Sequence, residues 1–167
     1  MCTRPLPSPH QRWLLAETPV TPVPGWPFRA HLLHVAEATQ LPWRAVAMVA
    51  GLDSASAQRL MRCPRQRGTI AAGQAAAVLG LDAARLGAKL RTTVPSEHSR
   101  RMIAALCASG ASVEELAHFL GLSRPALSGI VAGATEGCDL RIELLLSTAV
   151  QAVGIRCPEA VPPQVAA

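Results

Sequence analysis

The sequence predicts an all-α protein built from two copies of one helical unit, and three observations lead there. Half of the 167 residues are apolar but only 3% are aromatic, with no Tyr. Such an Ala- and Leu-rich composition favours short packed helices over a β-sandwich. Secondly, an ungapped shift of 70 residues lays LPWRAVAMVAGLDSASAQRLMR (41–62) over ASVEELAHFLGLSRPALSGIVA (111–132). Ala47 then meets Ala117, Gly51 meets Gly121, Leu52 meets Leu122 and Leu60 meets Ile130. Upstream, Leu32, Leu33 and Ala36 meet Met102, Ile103 and Leu106, so one supersecondary unit is expected twice. Thirdly, caps and glycines punctuate both segments at helical lengths.

Taken in order, the chain opens with an arm (1–27) holding seven prolines, which cannot form a continuous helix. Trp13 or Trp26 is placed to dock on the folded body. The first unit (28–91) begins with a helix over Phe28–Thr39, whose stripe is Phe28, Leu32, Val35, Ala36 and Thr39. A second helix has Pro42 in its first turn and stops before Gly51. A third runs from Ser54 to about Arg62, where CPRQRG breaks it, and a fourth is expected over Thr69–Leu79. In the second unit (92–156), Ser96 is expected to cap a helix ending at Gly110. Ser112 and Glu115 form a capping box, and Ser123 caps a helix stopping at Gly133. Asp139 caps a long helix carrying Leu140, Leu144, Leu145 and Val150 and ending at Gly154. The tail (157–167) is not expected to be regular, and no strand is expected between Phe28 and Gly154.

Two short helices joined by a tight glycine turn form a helix-turn-helix, so the fold reads as two tandem helix-turn-helix units. A small residue lets the next helix cross closely, as Ala47 and Ala117 would. Four residues on, Gly51 and Gly121 tolerate a positive φ. Val46, Leu52, Ala57 and Leu60 would fix the crossing in one unit, and Leu116, Leu122, Leu127 and Ile130 in the other.

Both copies resemble the helix-turn-helix of phage-repressor and Cro-like (XRE-type) regulators. The larger pattern is similar to tandem helix-turn-helix proteins of actinobacteria and their phages. The resemblance spans about residues 28–153, through WRAVAMVAGLDSASAQRLM and RRMIAALCASGASVEELAHFLGLSRPALSGIVAG. It implies sequence-specific binding of double-stranded DNA and control of transcription, as a repressor would exert it.

The charge is unevenly placed. Residues 1–94 hold eleven Arg and Lys against four acids, near +7, while residues 95–167 hold five against seven, near −2. A polyanion partner is therefore expected for the first unit. In that unit the third helix turns Ser54, Ala55, Gln58, Arg59 and Arg62 outward. Gln58 suits adenine, and Arg59 or Arg62 suits guanine. Arg65 and Arg67 continue the basic run toward phosphates, with no acid between Ser54 and Asp82. Trp43 and Arg44, at the head of the second helix, are counted with these contacts. The second unit offers Ser123, Arg124 and Ser128, with Arg124 in reach of a phosphate or guanine. Glu114 and Glu115 stand in the adjoining helix, so this unit is either a secondary reader or a copy used for packing or dimerisation.

Other chemistry is poorly supported. The five cysteines make no CxxC or CxxH pair, and reduced thiols acting as small apolar residues are expected. His31 and His34 lie i, i+3 on a helix without a third metal ligand, and His118 is expected to be partly buried. There are no paired carboxylates, no Ser-His-Asp set and no phosphate-cradling loop, so an enzyme is not expected, nor a cofactor or metal. No apolar run reaches membrane-spanning length and the N-terminus carries no apolar h-region, which points to a cytoplasmic protein. Duplex DNA is the expected partner, and a homodimer on a palindrome is one arrangement open to the chain. The rival reading is a protein-interaction module, an antitoxin or adaptor, that reuses the helix-turn-helix fold.

Overall fold

A computed structural model describes residues 22–62 and 68–155. Among them the chain runs β1 (Pro22–Pro24), α1 (Trp26–Thr39), α2 (Trp43–Val49), α3 (Ser54–Arg62), β2 (Thr69–Ala71), α4 (Ala72–Leu79) and α5 (Ala83–Lys89). It continues with β3 (Thr93–Pro95), α6 (Ser96–Ala108), α7 (Val113–Leu120), α8 (Arg124–Val131), β4 (Gly137–Asp139) and α9 (Leu140–Val153). The order strand, three helices, strand, helix thus occurs at 22–79 and again at 93–153, with α5 between.

The fold is mostly helical, and the expectation of no strand after Phe28 is wrong in three places. β1 pairs antiparallel with β2, Val23 opposite Ile70, and β3 pairs with β4, Val94 opposite Cys138. Three-residue strands are too short to show an alternating pattern. Their pairing closes over more than forty residues, which no local signal announces. Prolines are tolerated because each pair consists of two edges. Two helix limits shift as a result, and one expected cap makes no bond. The expected fourth helix begins at Ala72, because Thr69–Ala71 is β2. Ser96 is the first residue of α6 rather than its cap, and its Oγ donates to the Thr135 carbonyl at 2.7 Å. Asp139 stands at the α9 N-cap but accepts no capping bond there.

The first helix starts earlier than Phe28, at Trp26, with Pro27 in its first turn. Trp26 is exposed rather than docked. Trp13 and the arm to residue 21, Arg65 and Arg67, and the tail from 156 lie outside the described residues. The expected stripe holds: Leu32, Val35, Ala36 and Thr39 are buried, and Phe28 is partly so. The Leu33–Ile103 match fails in packing, because Leu33 is exposed while Ile103 is buried. Helix α5, absent from the expected elements, is capped by Asp82, which accepts from the Arg85 N–H at 2.7 Å. It buries Leu86 against α1.

Helix α1 packs on α2, α3, α4 and α5, and α6 packs on α8 and α9. Helix α9 also lies against α2, and Arg141 donates to the Gln40 carbonyl at 3.0 Å. Buried residues from both halves form one hydrophobic cluster, reaching from Leu32 to Val150. Among the described residues no helix is long and apolar enough to cross a membrane.

Candidate nucleic-acid interface

The joint between α2 and α3 is built from backbone chemistry. Gly51 has φ +72°, donates to the Met48 carbonyl at 2.9 Å, and is followed by Leu52 donating to the Ala47 carbonyl at 3.0 Å. The joint between α7 and α8 repeats it: Gly121 has φ +67°, with bonds to His118 at 3.1 Å and from Leu122 to Ala117 at 2.9 Å. A Cβ on either glycine would meet no atom within 4 Å, so the backbone angle, not crowding, demands glycine. Ala47 and Ala117 are buried, as are Val46, Ala57 and Leu60 in one half and Leu116, Leu127 and Ile130 in the other. Leu52 is also buried, and Leu122 is half-buried.

Helix α3 presents Ser54, Ala55, Arg59 and Arg62 to solvent, with Gln58 half-buried beside them. The buried or half-buried apolar positions Ala57, Leu60 and Met61 hold its other side to the core. Asp53 accepts from the Ser56 N–H at 2.9 Å, capping the helix. The Ser56 hydroxyl and backbone N–H hold the Asp53 carboxyl below its ordinary pKa, with a further pull from Arg59. The Ser56 hydroxyl oxygen accepts from Arg59 Nη2 at 3.0 Å and from Gln74 Nε2 of α4 at 3.2 Å. Arg62 makes no ion pair among the described residues.

At the head of α2, exposed Arg44 lies over the half-buried Trp43 ring at 5.2 Å. The two also line a cavity of about 10 Å³ with Ser54 and with Gln151 of α9. That volume accommodates roughly one water and no organic ligand.

The corresponding face of the other half differs in charge. Ser123, Arg124 and Ser128 are exposed, and Ser123 caps α8 by accepting from the Ala126 N–H at 3.4 Å. Arg124 Nη1, however, lies 3.0 Å from Glu114 Oε1, so its charge is matched within the unit. The expected capping box is present. Ser112 Oγ accepts from the Glu115 N–H at 3.2 Å, and the Ser112 N–H donates to Glu115 Oε2 at 2.9 Å. The Ser112 N–H, together with the Ser112 hydroxyl that donates to Oε2 at 2.8 Å, holds the Glu115 carboxyl below its ordinary pKa.

Sequence reasoning missed the Asp53–Ser56–Gln74 set. Asp53 sits 70 residues before Ser123, and both cap the following helix, a match the register offered. Gln74 had no signal, since it comes from a helix eighteen residues further on. His118 is exposed rather than partly buried. His31 bonds through Nε2 to the Leu81 carbonyl at 3.0 Å, and no group of three potential metal ligands exists among the described residues. Cys107 and Cys138 are free thiols; burial raises the Cys138 pKa, and Ser99 Oγ lies 3.2 Å away. Comparison with family models, curated proteins and solved structures finds no match to this chain.

Proposed function

We propose that the chain is a DNA-binding regulator of transcription made of two tandem helix-turn-helix units, and that α3 of the first unit enters the major groove. The observation that carries this reading is the recurrence of a positive-φ glycine between two short helices, Gly51 and Gly121, at the same offset. A recognition helix needs an exposed polar side and an apolar side fixed to its bundle. Arg59 and Arg62 on one side of α3, with Ala57 and Leu60 on the other, meet that need. The uneven charge supports the same assignment, because nonspecific DNA affinity comes from cations facing phosphates.

The test is a titration with random-sequence duplex DNA at rising salt. A regulator binds at low salt and weakens linearly in log–log form with the number of phosphates it neutralises. A protein-interaction module of the same fold shows little affinity at any salt. Selection from a random duplex library then separates two geometries. An asymmetric site means that one chain uses both units, and a palindrome means that two chains pair.

A further inference from the structure

The outward side of α3 carries two arginines that sequence position does not distinguish, and their surroundings do. Ser56 is 6% exposed and sits beneath Arg59, on the side of α3 that faces α4. Its oxygen takes hydrogen bonds from Arg59 Nη2 and from Gln74 Nε2. A serine hydroxyl has two lone pairs and one proton, so both acceptor positions are filled. The proton is left for the neighbouring Asp53 carboxylate, which already accepts from the Ser56 N–H. Gln74 is anchored on a different helix, so Arg59 is tied through Ser56 to the body of the fold. The side chain of Arg62, one turn on, has no hydrogen bond or ion pair among the described residues.

We propose that Arg59 is the base-reading arginine of α3 and that Ser56, braced by Gln74, is the positioning residue that holds it, while Arg62 serves phosphate. This rests on the DNA-binding reading above. One Nη2 proton of Arg59 goes to Ser56, and the remaining four guanidinium protons stay available, enough for the two parallel bonds that guanine O6 and N7 accept. Fixing the side chain before binding removes the ordering cost that a free arginine carries into the complex. A phosphate contact gains less from such fixing, because a mobile cation neutralises an anion from many geometries.

Two duplexes serve as probes: the sequence that the wild-type full chain enriches from a random library, and a shuffled sequence of equal composition. Arg59→Ala should remove most of the preference for the first over the second. Ser56→Ala and Gln74→Ala should each cut that preference by about three- to tenfold, the scale of immobilising one side chain. Ser56→Ala added to Arg59→Ala should cost nothing further. Arg62→Ala should weaken both duplexes alike. In the free protein, guanidinium NMR resonances of ¹⁵N-arginine should show hindered rotation for Arg59 that Ser56→Ala releases, a readout independent of DNA. Gln74→Ala keeps the test decisive should Ser56→Ala disturb folding. Additive losses from Ser56→Ala and Arg59→Ala, or equal losses on both duplexes, overturn the positioning role alone. A wild-type chain that enriches no sequence and binds neither duplex overturns the function with it.

Discussion

Gly51 and Gly121 are the residues on which the proposed reading turns most directly. Each adopts a left-handed backbone with open space where a Cβ would stand. Gly51→Ala and Gly121→Ala should therefore each destabilise by about 1 kcal/mol, the cost of placing a side chain in that region. Valine should cost more, and asparagine less. Urea denaturation of the three variants at each site measures the series, and equal stabilities would show that the turn does not need its angle. Glu115 gives a second residue-level expectation, this time in pH. Its folded pKa is lowered by the Ser112 N–H and hydroxyl, so the folded state favours the ionised form. The stabilisation is therefore complete at neutral pH. It is lost as pH falls from the ordinary glutamate value, about 4.3, through the lower folded value. Glu115→Gln should be less stable than wild type at pH 7, and the gap should close once the pH has fallen through the lowered folded value. A gap that persists there would assign the residue's role to packing instead of charge.

Helices α3 and α8 hold matching places in the order of elements but present different surfaces. Each buries one leucine fully, Leu60 at 1% and Leu127 at 0% exposure. Leu60→Ala and Leu127→Ala should each cost about 2–5 kcal/mol, through lost burial and the cavity left behind, as thermal or denaturant unfolding would record. Their exposed sides should diverge in function. If Arg59 meets a guanine, Arg59→Ala should cost about 1–3 kcal/mol in binding and relax preference at that base pair. Arg124 is matched by Glu114 at 3.0 Å, and Arg124→Ala should leave DNA affinity nearly unchanged. An equal loss from both substitutions would mean that both units engage the duplex and that the Glu114 pair opens on binding. This asymmetry was only half legible: Glu114 and Glu115 were visible in the sequence, but the pairing of Glu114 with Arg124 follows from how α7 crosses α8.

For the molecule as a whole, the two halves share one buried cluster, and α9 lies against α2 of the other half. Loss of a fully buried α9 residue should therefore be felt beyond its own half. Leu146→Ala, at a site with 0% exposure, should produce a single cooperative unfolding transition at lower denaturant. Two separated transitions would show that the halves unfold independently. The charge division, +7 against −2, sets the expectation for DNA affinity. Arg65→Ala and Arg67→Ala should weaken all duplexes alike, each lowering the salt slope by about one. Fluorescence anisotropy at several salt concentrations reads that slope directly.

The sequence by itself determined the described helices other than α5, their stops and the spacing of the two glycine turns. Those features are encoded within a few residues: Ser112 three places before Glu115, Gly51 four after Ala47, Leu32 and Val35 on one stripe. It also determined where the basic residues lie along the chain. The tertiary structure decided the strand pairs, because Val23 finds Ile70 and Val94 finds Cys138 only when the intervening helices have packed. It decided that Ser96 bonds to Thr135 instead of capping its helix, and that Leu33 faces solvent where its match Ile103 is buried. Above all it distinguished the arginines, setting Arg59 on a Ser56 hydroxyl that Gln74 also holds, and Arg124 on Glu114. Periodicity places a charge on a helix surface, but what braces or neutralises it there, Gln74 on Ser56 and Glu114 on Arg124, comes from another helix, and only packing brings the two helices within hydrogen-bonding distance.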